Sequence, residues 1–243
     1  MSLDALAIGA HPDDVEVGCG GTLAGLVERG HSVGILHLTS GEAGTSGDAE
    51  TRRAEARAAA SLLGVEIHLL DCGDGELRTG RDEEDSLIQK LRETRPRLVL
   101  APAPEDLHPD HGRAFRLVRD ACFYAGLRER STDLGPPHRP SSIFSYMQHD
   151  VSFVPSFVVD VSSTWERKMS ALDAYASQLH PSTGARSGSD VEEGSWTKTS
   201  SPEFRSAIEG RARHYGQLIG ARFGEPFSSR DALAIRDLWS LVP

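Results

Sequence analysis

Short apolar runs alternate with helix-like stretches along the first half of the chain, and this alternation restricts the fold more than any other feature. Ala5-Leu6-Ala7-Ile8-Gly9, Val33-Gly34-Ile35-Leu36-His37-Leu38, Glu66-Ile67-His68-Leu69-Leu70 and Leu98-Val99-Leu100-Ala101 read as buried strands. Between them, a helix over 22–29 is closed by Gly30 and one over 49–63 by Gly64, while one over 84–94 is stopped by Arg95-Pro96. Strands spaced by helices imply βαβ units, a mostly parallel sheet and an α/β fold. Right-handed crossovers bring the carboxyl ends of the strands that precede helices to one edge, where such sheets bind ligands.

The second half is looser. Its pattern predicts helices over 111–127, 163–179 and 203–222 and strands over 142–147 and 157–161. Residues 180–202 are rich in Ser, Gly and Thr and read as a flexible loop or lid. No boundary divides the chain, so a single domain over 1–243 is expected. At 243 residues it can bury a core without disulfides. A net charge of −10 argues against nucleic acid and anionic membrane as partners. No apolar run suits a membrane-spanning helix, and the N-terminus has no basic region before an apolar run. Cys19, Cys72 and Cys122 are scattered, which suits reduced thiols and a cytoplasmic location.

Two of the strands run into loops of one kind. The first leads into Gly9-Ala10-His11-Pro12-Asp13-Asp14 and the fourth into Glu105-Asp106-Leu107-His108-Pro109-Asp110-His111. Either His-Pro-Asp alone suits a plain turn or helix start. Both together, at the edge where topology predicts a ligand, point to a metal. His11, Asp14 and His111 supply the two imidazoles and one carboxylate of a catalytic zinc site, in which zinc lowers the pKa of a water towards about 7. Fe(II), Co(II) and Mn(II) fit the same donors. Asp13 is then the candidate general base, His108 the candidate for polarising a carbonyl or stabilising an oxyanion, and Asp110 a carboxylate that orients a histidine ring.

Other motifs weigh less. Gly18-Cys19-Gly20-Gly21 does not fit the dinucleotide fingerprint and reads as close packing at a helix start. Thr39-Ser40-Gly41-Glu42-Ala43-Gly44-Thr45 follows the second strand at the ligand edge, and Arg52 and Arg53 come soon after. Arg52 is a candidate substrate contact, because a guanidinium fork suits carboxylate or phosphate, and Glu42 is a further polar candidate. The remaining histidines, His149 among them, stand alone, and Tyr175 and Gln178 suit helix packing.

Ala-His-Pro-Asp-Asp at 10–14, Thr-Ser-Gly-Glu at 39–42, Arg-x-x-Glu-Ala at 52–56 and His-Pro-Asp-His at 108–111 resemble the zinc-dependent N-acetylglucosaminyl deacetylases of the LmbE-like, or PIG-L, family. Nearly the whole chain takes part. His138-Arg139-Pro140, Phe157-Val158-Val159-Asp160, Tyr-Ala-Ser-Gln at 175–178 and Ala-Arg-His-Tyr-Gly at 212–216 are most similar to its bacillithiol-pathway branch. The resemblance implies a Rossmann-like three-layer sandwich and one divalent metal on His11, Asp14 and His111. It also implies Asp13 as base, His108 at the oxyanion and Arg52 on substrate. The implied reaction is hydrolysis of the N-acetyl group of an N-acetylglucosamine conjugate, N-acetylglucosaminyl malate in that branch. A homo-oligomer is expected from relatives. Where relatives often carry a Tyr near the start of the last long helix, this chain has Phe204, which cannot donate a hydrogen bond. The alternatives are a mycothiol-type, antibiotic or chitooligosaccharide conjugate, or a non-catalytic sugar- or nucleotide-binding module.

Overall fold

A computed structural model of the chain describes residues 2–44, 48–149, 153–179, 199, 201–235 and 237–241. Its elements are β1 (Ala5–Gly9), α1 (Asp14–Glu28), β2 (Val33–His37), α2 (Ala49–Leu63), β3 (Glu66–Leu69), α3 (Arg81–Thr94), β4 (Leu98–Pro102), α4 (Pro109–Ala125), β5 (Ser142–Tyr146), β6 (Phe157–Asp160), α5 (Trp165–Asp173), α6 (Ala176–Leu179), α7 (Pro202–Leu218) and β7 (Gly224–Ser228). The strands form one seven-stranded sheet in the order β3-β2-β1-β4-β5-β7-β6. The first five are parallel, and β7 runs antiparallel to both β5 and β6.

The pleat sorts side chains onto two faces. Leu6 and Ile8 of β1 join Leu87 and Leu91 of α3 and Leu117 and Val118 of α4 on one face. Ala5 and Ala7 face Leu23 of α1, Ala59 of α2 and Ala171 of α5 on the other. Helices on both sides of a mostly parallel sheet make the expected three-layer α/β sandwich. β1 and β4 lie side by side, with Ala5 opposite Leu98 and Ala7 opposite Leu100. The chain leaves β1 towards β2 on one side and β4 towards β5 on the other. That reversal opens a crevice beyond their carboxyl ends, the usual ligand position in such sheets.

Several elements depart from the sequence pattern. The first helix begins at Asp14 rather than residue 22 and is kinked at Cys19, where φ is −147°. A kink frees backbone N–H groups as a helix start does. Here those of Gly21 and Thr22 donate to the Glu225 carboxylate at 3.0 and 2.7 Å, and the Thr22 hydroxyl donates at 2.6 Å. Lys168 Nζ balances the charge at 2.6 Å from Glu225, and both side chains are buried. The glycines make this possible. A Cβ on Gly18 would lie 2.1 Å from the Tyr146 ring, and one on Gly21 2.8 Å from Val161. The Gly-rich stretch therefore binds the chain's own carboxylate. β7, which supplies Glu225, is absent from the predicted strands because Gly-Glu-Pro-Phe-Ser has no strand pattern. It is placed by pairing with strands on either side, and Pro226 lies outside its ladder with β5.

The helix expected over 163–179 divides into α5 and α6. The last long helix ends at Leu218 rather than 222, ahead of Gly220, whose φ is 71°. Residues 180–198, most of the expected lid, lie outside the described residues, as does Thr45. Among the described residues no helix is long and apolar enough to cross a membrane.

Replacing Glu225 by Ala strands a buried ammonium and two backbone donors. Glu225→Ala is expected to lower the unfolding free energy by about 3–5 kcal/mol. Denaturant titration checks this, and a loss below about 1 kcal/mol, the worth of one ordinary hydrogen bond, would disprove the bracing role of Glu225.

Candidate active site

Both His-Pro-Asp loops are helix starts. After β1, the His11 backbone N–H donates to Asp14 Oδ2 at 2.8 Å, closing a turn that aims both side chains the same way. Asp13 at the bend has φ 97°, in the left-handed region that Asp tolerates better than most residues. After β4, His108 caps α4 with Nδ1 accepting from Asp110 N–H at 3.2 Å. Pro109 opens the helix, where its missing N–H costs nothing, and His111 follows within the first turn. A side-chain cap is made only in the second loop, since Asp13 at the start of α1 makes no capping hydrogen bond.

In the crevice the two loops converge. Asp14 bridges two imidazoles, Oδ2 lying 3.4 Å from His11 Nδ1 and Oδ1 3.2 Å from His111 Nε2. Ligating atoms of His11, His108 and His111 lie within 4.8 Å of one another. A second trio, His11, Asp74 and Asp110, meets the same limit and shares His11. The His108 and His111 rings stack at 5.0 Å, and His111 stacks on His149 at 5.7 Å.

The donor set suits a divalent cation. His11 Nε2 is buried without a well-directed hydrogen bond, although Asp74 Oδ1 and Asp110 Oδ2 stand 3.0 and 3.5 Å away. Burial disfavours charge on the His111 ring, but Asp14 and a hydrogen bond to Asp106 raise it to about 9. His11 is likewise raised well above the ordinary range, against its burial, by Asp110 and Asp14. The same pairing holds Asp14 well below the carboxylate range despite its burial, chiefly through the charge of His111. Two imidazolium charges thus offset the carboxylates where a dication would do the same.

Around this cluster is a pocket of about 330 Å³, lined by Asp13, Arg52, Asp74, His108, His149, Gln178 and Phe204 among others. Burial lifts the Asp13 carboxyl to about 7, with Arg52 pulling the other way from 4.0 Å. His108 is lowered by burial and by the charges of His11 and His111. With Nδ1 accepting, its Nε2 is left as the ring's donor. Arg52 is buried, donates to Pro12 O at 2.8 Å and lies against Gly41 and Gly44, where a Cβ would meet its guanidinium at 2.8 and 3.0 Å. Phe204 lies over His149, ring centroids 6.1 Å apart, and brings no hydrogen-bond donor to the pocket wall. Arg53 is turned to the Ser40 hydroxyl.

Glu42 does not line the pocket. Its carboxylate accepts from the backbone N–H groups of Ser40 and Asp74 at 3.1 and 2.8 Å, tying the loop after β2 to the loop after β3. Asp110 lies behind the pocket wall. It accepts from Gly75 N–H and Arg113 and faces His11.

The PIG-L family model, described as GlcNAc-PI de-N-acetylase, matches residues 6–122. The diacetylchitobiose deacetylase of Thermococcus kodakarensis is 34% identical, over 90% of this chain and 80% of its own. The chain belongs to the PIG-L deacetylase family. At that level its activity is hydrolytic N-deacetylation of N-acetylglucosamine-type conjugates. The crystal structure of the conserved protein TT1542 from Thermus thermophilus superposes with a TM-score of 0.83 at 36% identity, covering 96% of this chain and 98% of that one. A 4-oxalmesaconate hydratase from Pseudomonas putida is 28% identical over 72% of this chain and 74% of its own.

In this PIG-L chain the carboxylate on His111 is Asp106, which the spacing argument passes over. Its Oδ1 lies 2.9 Å from His111 Nδ1, and it also accepts from the backbone N–H groups of His108 and His149. Its position two residues before His108, in the loop after β4, was the available signal. His149 stands alone in sequence but enters the site from beyond β5, and Asp74 enters from beyond β3. Nothing local marks either one.

The Asp106 carboxyl sits below the usual range, since hydrogen bonds from His111 and from backbone N–H groups outweigh its burial. In chelator-treated protein this pairing contributes fully between the unperturbed values of 3.8 and 6.5. It is lost as pH falls through the lowered carboxyl range, and as pH rises through about 9, where His111 deprotonates. Asp106→Asn is expected to cost about 1.5–3 kcal/mol inside that window, falling away as pH drops through the lowered carboxyl range or rises through about 9. A cost that does not vary across denaturant titrations at several pH values would disprove the ion pair.

Proposed function

We propose that the chain hydrolyses the acetamide of an N-acetylglucosamine conjugate, N-acetylglucosaminyl malate being the leading candidate, and releases acetate and a free amine. The observation that carries this reading is the convergence of His11, Asp14 and His111 with Asp13, His108 and Arg52 in one pocket. His11, Asp14 and His111 would hold the divalent metal, with zinc preferred for two imidazoles and a carboxylate. When bound, that ion supplies Lewis acidity towards a water and an amide carbonyl.

The protein's own groups do the rest. Asp13, half-buried and lifted to about 7, accepts the proton of the attacking water as its oxygen bonds to the acetyl carbon. The His108 Nε2–H donates to the carbonyl oxygen as negative charge builds there. The carbon–nitrogen bond then breaks, and the proton held on Asp13 passes to the leaving amine. Asp106 fixes the His111 ring through Nδ1. Arg52, braced on Pro12 O, binds a polar group of the substrate.

The pocket lining carries three carboxylates, Asp13, Asp14 and Asp74, against the single guanidinium of Arg52. With His11 and His111 neutral as metal ligands, a bound dication would offset them for an anionic substrate. The identity to a diacetylchitobiose deacetylase favours a second reading, a neutral chitooligosaccharide substrate.

Asp13→Ala is expected to retain metal but lose about 10²–10⁴-fold in kcat, whereas His111→Ala loses both metal and activity. Metal analysis with an amine-release assay reads both variants, and wild-type turnover by Asp13→Ala would remove the base assignment. In the same assay, kcat/KM for N-acetylglucosaminyl malate is expected to exceed that for diacetylchitobiose. The reverse order selects the second reading. Activity that persists after chelation and is not increased by zinc overturns the metal-dependent reading altogether.

A further inference from the structure

Beside the pocket lies a second cavity of about 590 Å³, lined by Gly75, Glu76, Leu77, Arg78, Thr79, Arg113 and Arg116. Gly75 lines both cavities, so the two meet there. The second lining reverses the sign of the first: Arg113 is paired with Asp110, and the guanidinium groups of Arg78 and Arg116 stand against the one carboxylate of Glu76. On a chain of net charge −10 this is a local excess of positive charge at the mouth of an acid-rich pocket.

The arginines come from two elements fastened to the site. Arg113 and Arg116 stand three residues apart on α4, and so on one face of the helix that carries His111. Arg78 belongs to the loop that carries Asp74, between β3 and α3. Asp110 joins the two cavities. One oxygen accepts from Arg113 at 2.8 Å, and the other accepts from Gly75 N–H at 2.9 Å while lying 3.5 Å from His11 Nε2. Arg78 and Arg116 make no ion pair or hydrogen bond among the described residues, so their donors are open to a ligand. Single unpaired arginines are ordinary on a surface. Two of them beside the Asp110-paired Arg113 on one concavity, with a wall shared with a candidate catalytic pocket, form an anion-binding arrangement suited to carboxylate.

We propose that this cavity is an aglycone subsite that holds the carboxylates of an anionic conjugate while its acetamido sugar occupies the neighbouring pocket. This rests on the deacetylase reading and narrows it, since a neutral oligosaccharide would make no ion pair here. It also divides the work of binding. Metal and Arg52 serve the reacting end, and Arg78, Arg113 and Arg116 serve the charged end.

The test is the double variant Arg78→Ala/Arg116→Ala in the full chain loaded with zinc, with Arg113 kept because it holds Asp110. Amine release is measured on N-acetylglucosaminyl malate and on its uncharged dimethyl ester, and calorimetry measures binding of free malate. The double variant is expected to raise KM for the acid about tenfold or more with kcat unchanged, to leave both constants for the diester unchanged, and to weaken malate binding to match. Added salt should shrink the difference. An unchanged KM for the acid together with unchanged malate binding overturns the subsite, and so does an equal loss on acid and diester. If neither conjugate is turned over by the wild type, the malate-conjugate reading fails. Malate calorimetry then decides the subsite separately, since loss of binding in the double variant supports it and unchanged binding overturns it.

Discussion

Parallel pairing between β1 and β4 is the constraint on which the rest of the molecule depends. The two strands are hydrogen-bonded neighbours, so their carboxyl ends finish side by side, but the chain departs from them in opposite directions. The first turns of α1 and α4 face each other across the gap between them. Two helix starts bring unpaired N–H groups and the positive ends of helix dipoles, which favour carboxylates nearby. Asp14 and Asp110 occupy those first turns. The histidines that follow the same loops then meet between them.

Crowding of acids gives the site its chemistry. Asp13, Asp14, Asp74, Asp106 and Asp110 all approach His11 or His111 or border their pocket. Carboxylates this close are tolerated only with compensating positive charge. The neighbours then separate their roles. Asp14, Asp106 and Asp110 have hydrogen-bond or ion-pair partners and are held as carboxylates, while Asp13, with Arg52 no nearer than 4.0 Å, is lifted towards neutrality. One residue type thus supplies both ligands or ring anchors and a group able to exchange a proton. Next door, beside Gly75, the charge of the lining changes, with Arg78 and Arg116 standing against Glu76 alone.

The glycine-rich turn of α1 shows how the support of the site is built. The kink at Cys19 leaves donors that a phosphate could fill, and the chain fills them with Glu225 from its last strand. That carboxylate, neutralised by Lys168, ties β7 and α5 to the helix whose first turn carries Asp14. The far end of the sequence therefore steadies the near end of the site.

Much of the fold and part of the candidate site were legible in the sequence. Strand and helix periodicity recorded the βαβ order because burial on a parallel sheet leaves apolar runs, and Gly64 and Pro96 marked helix ends because their backbone geometry permits little else there. The two His-Pro-Asp loops were legible because one local motif both starts a helix and carries its ligand-type residues. What the sequence by itself determined is thus what is encoded within a few residues. Asp74 and His149, the displacement of Glu42 from the pocket, strand β7 and the Glu225 brace were decided only by tertiary structure. Each depends on contacts between segments far apart in the chain, where position comes from strand order and packing and no short-range pattern records it.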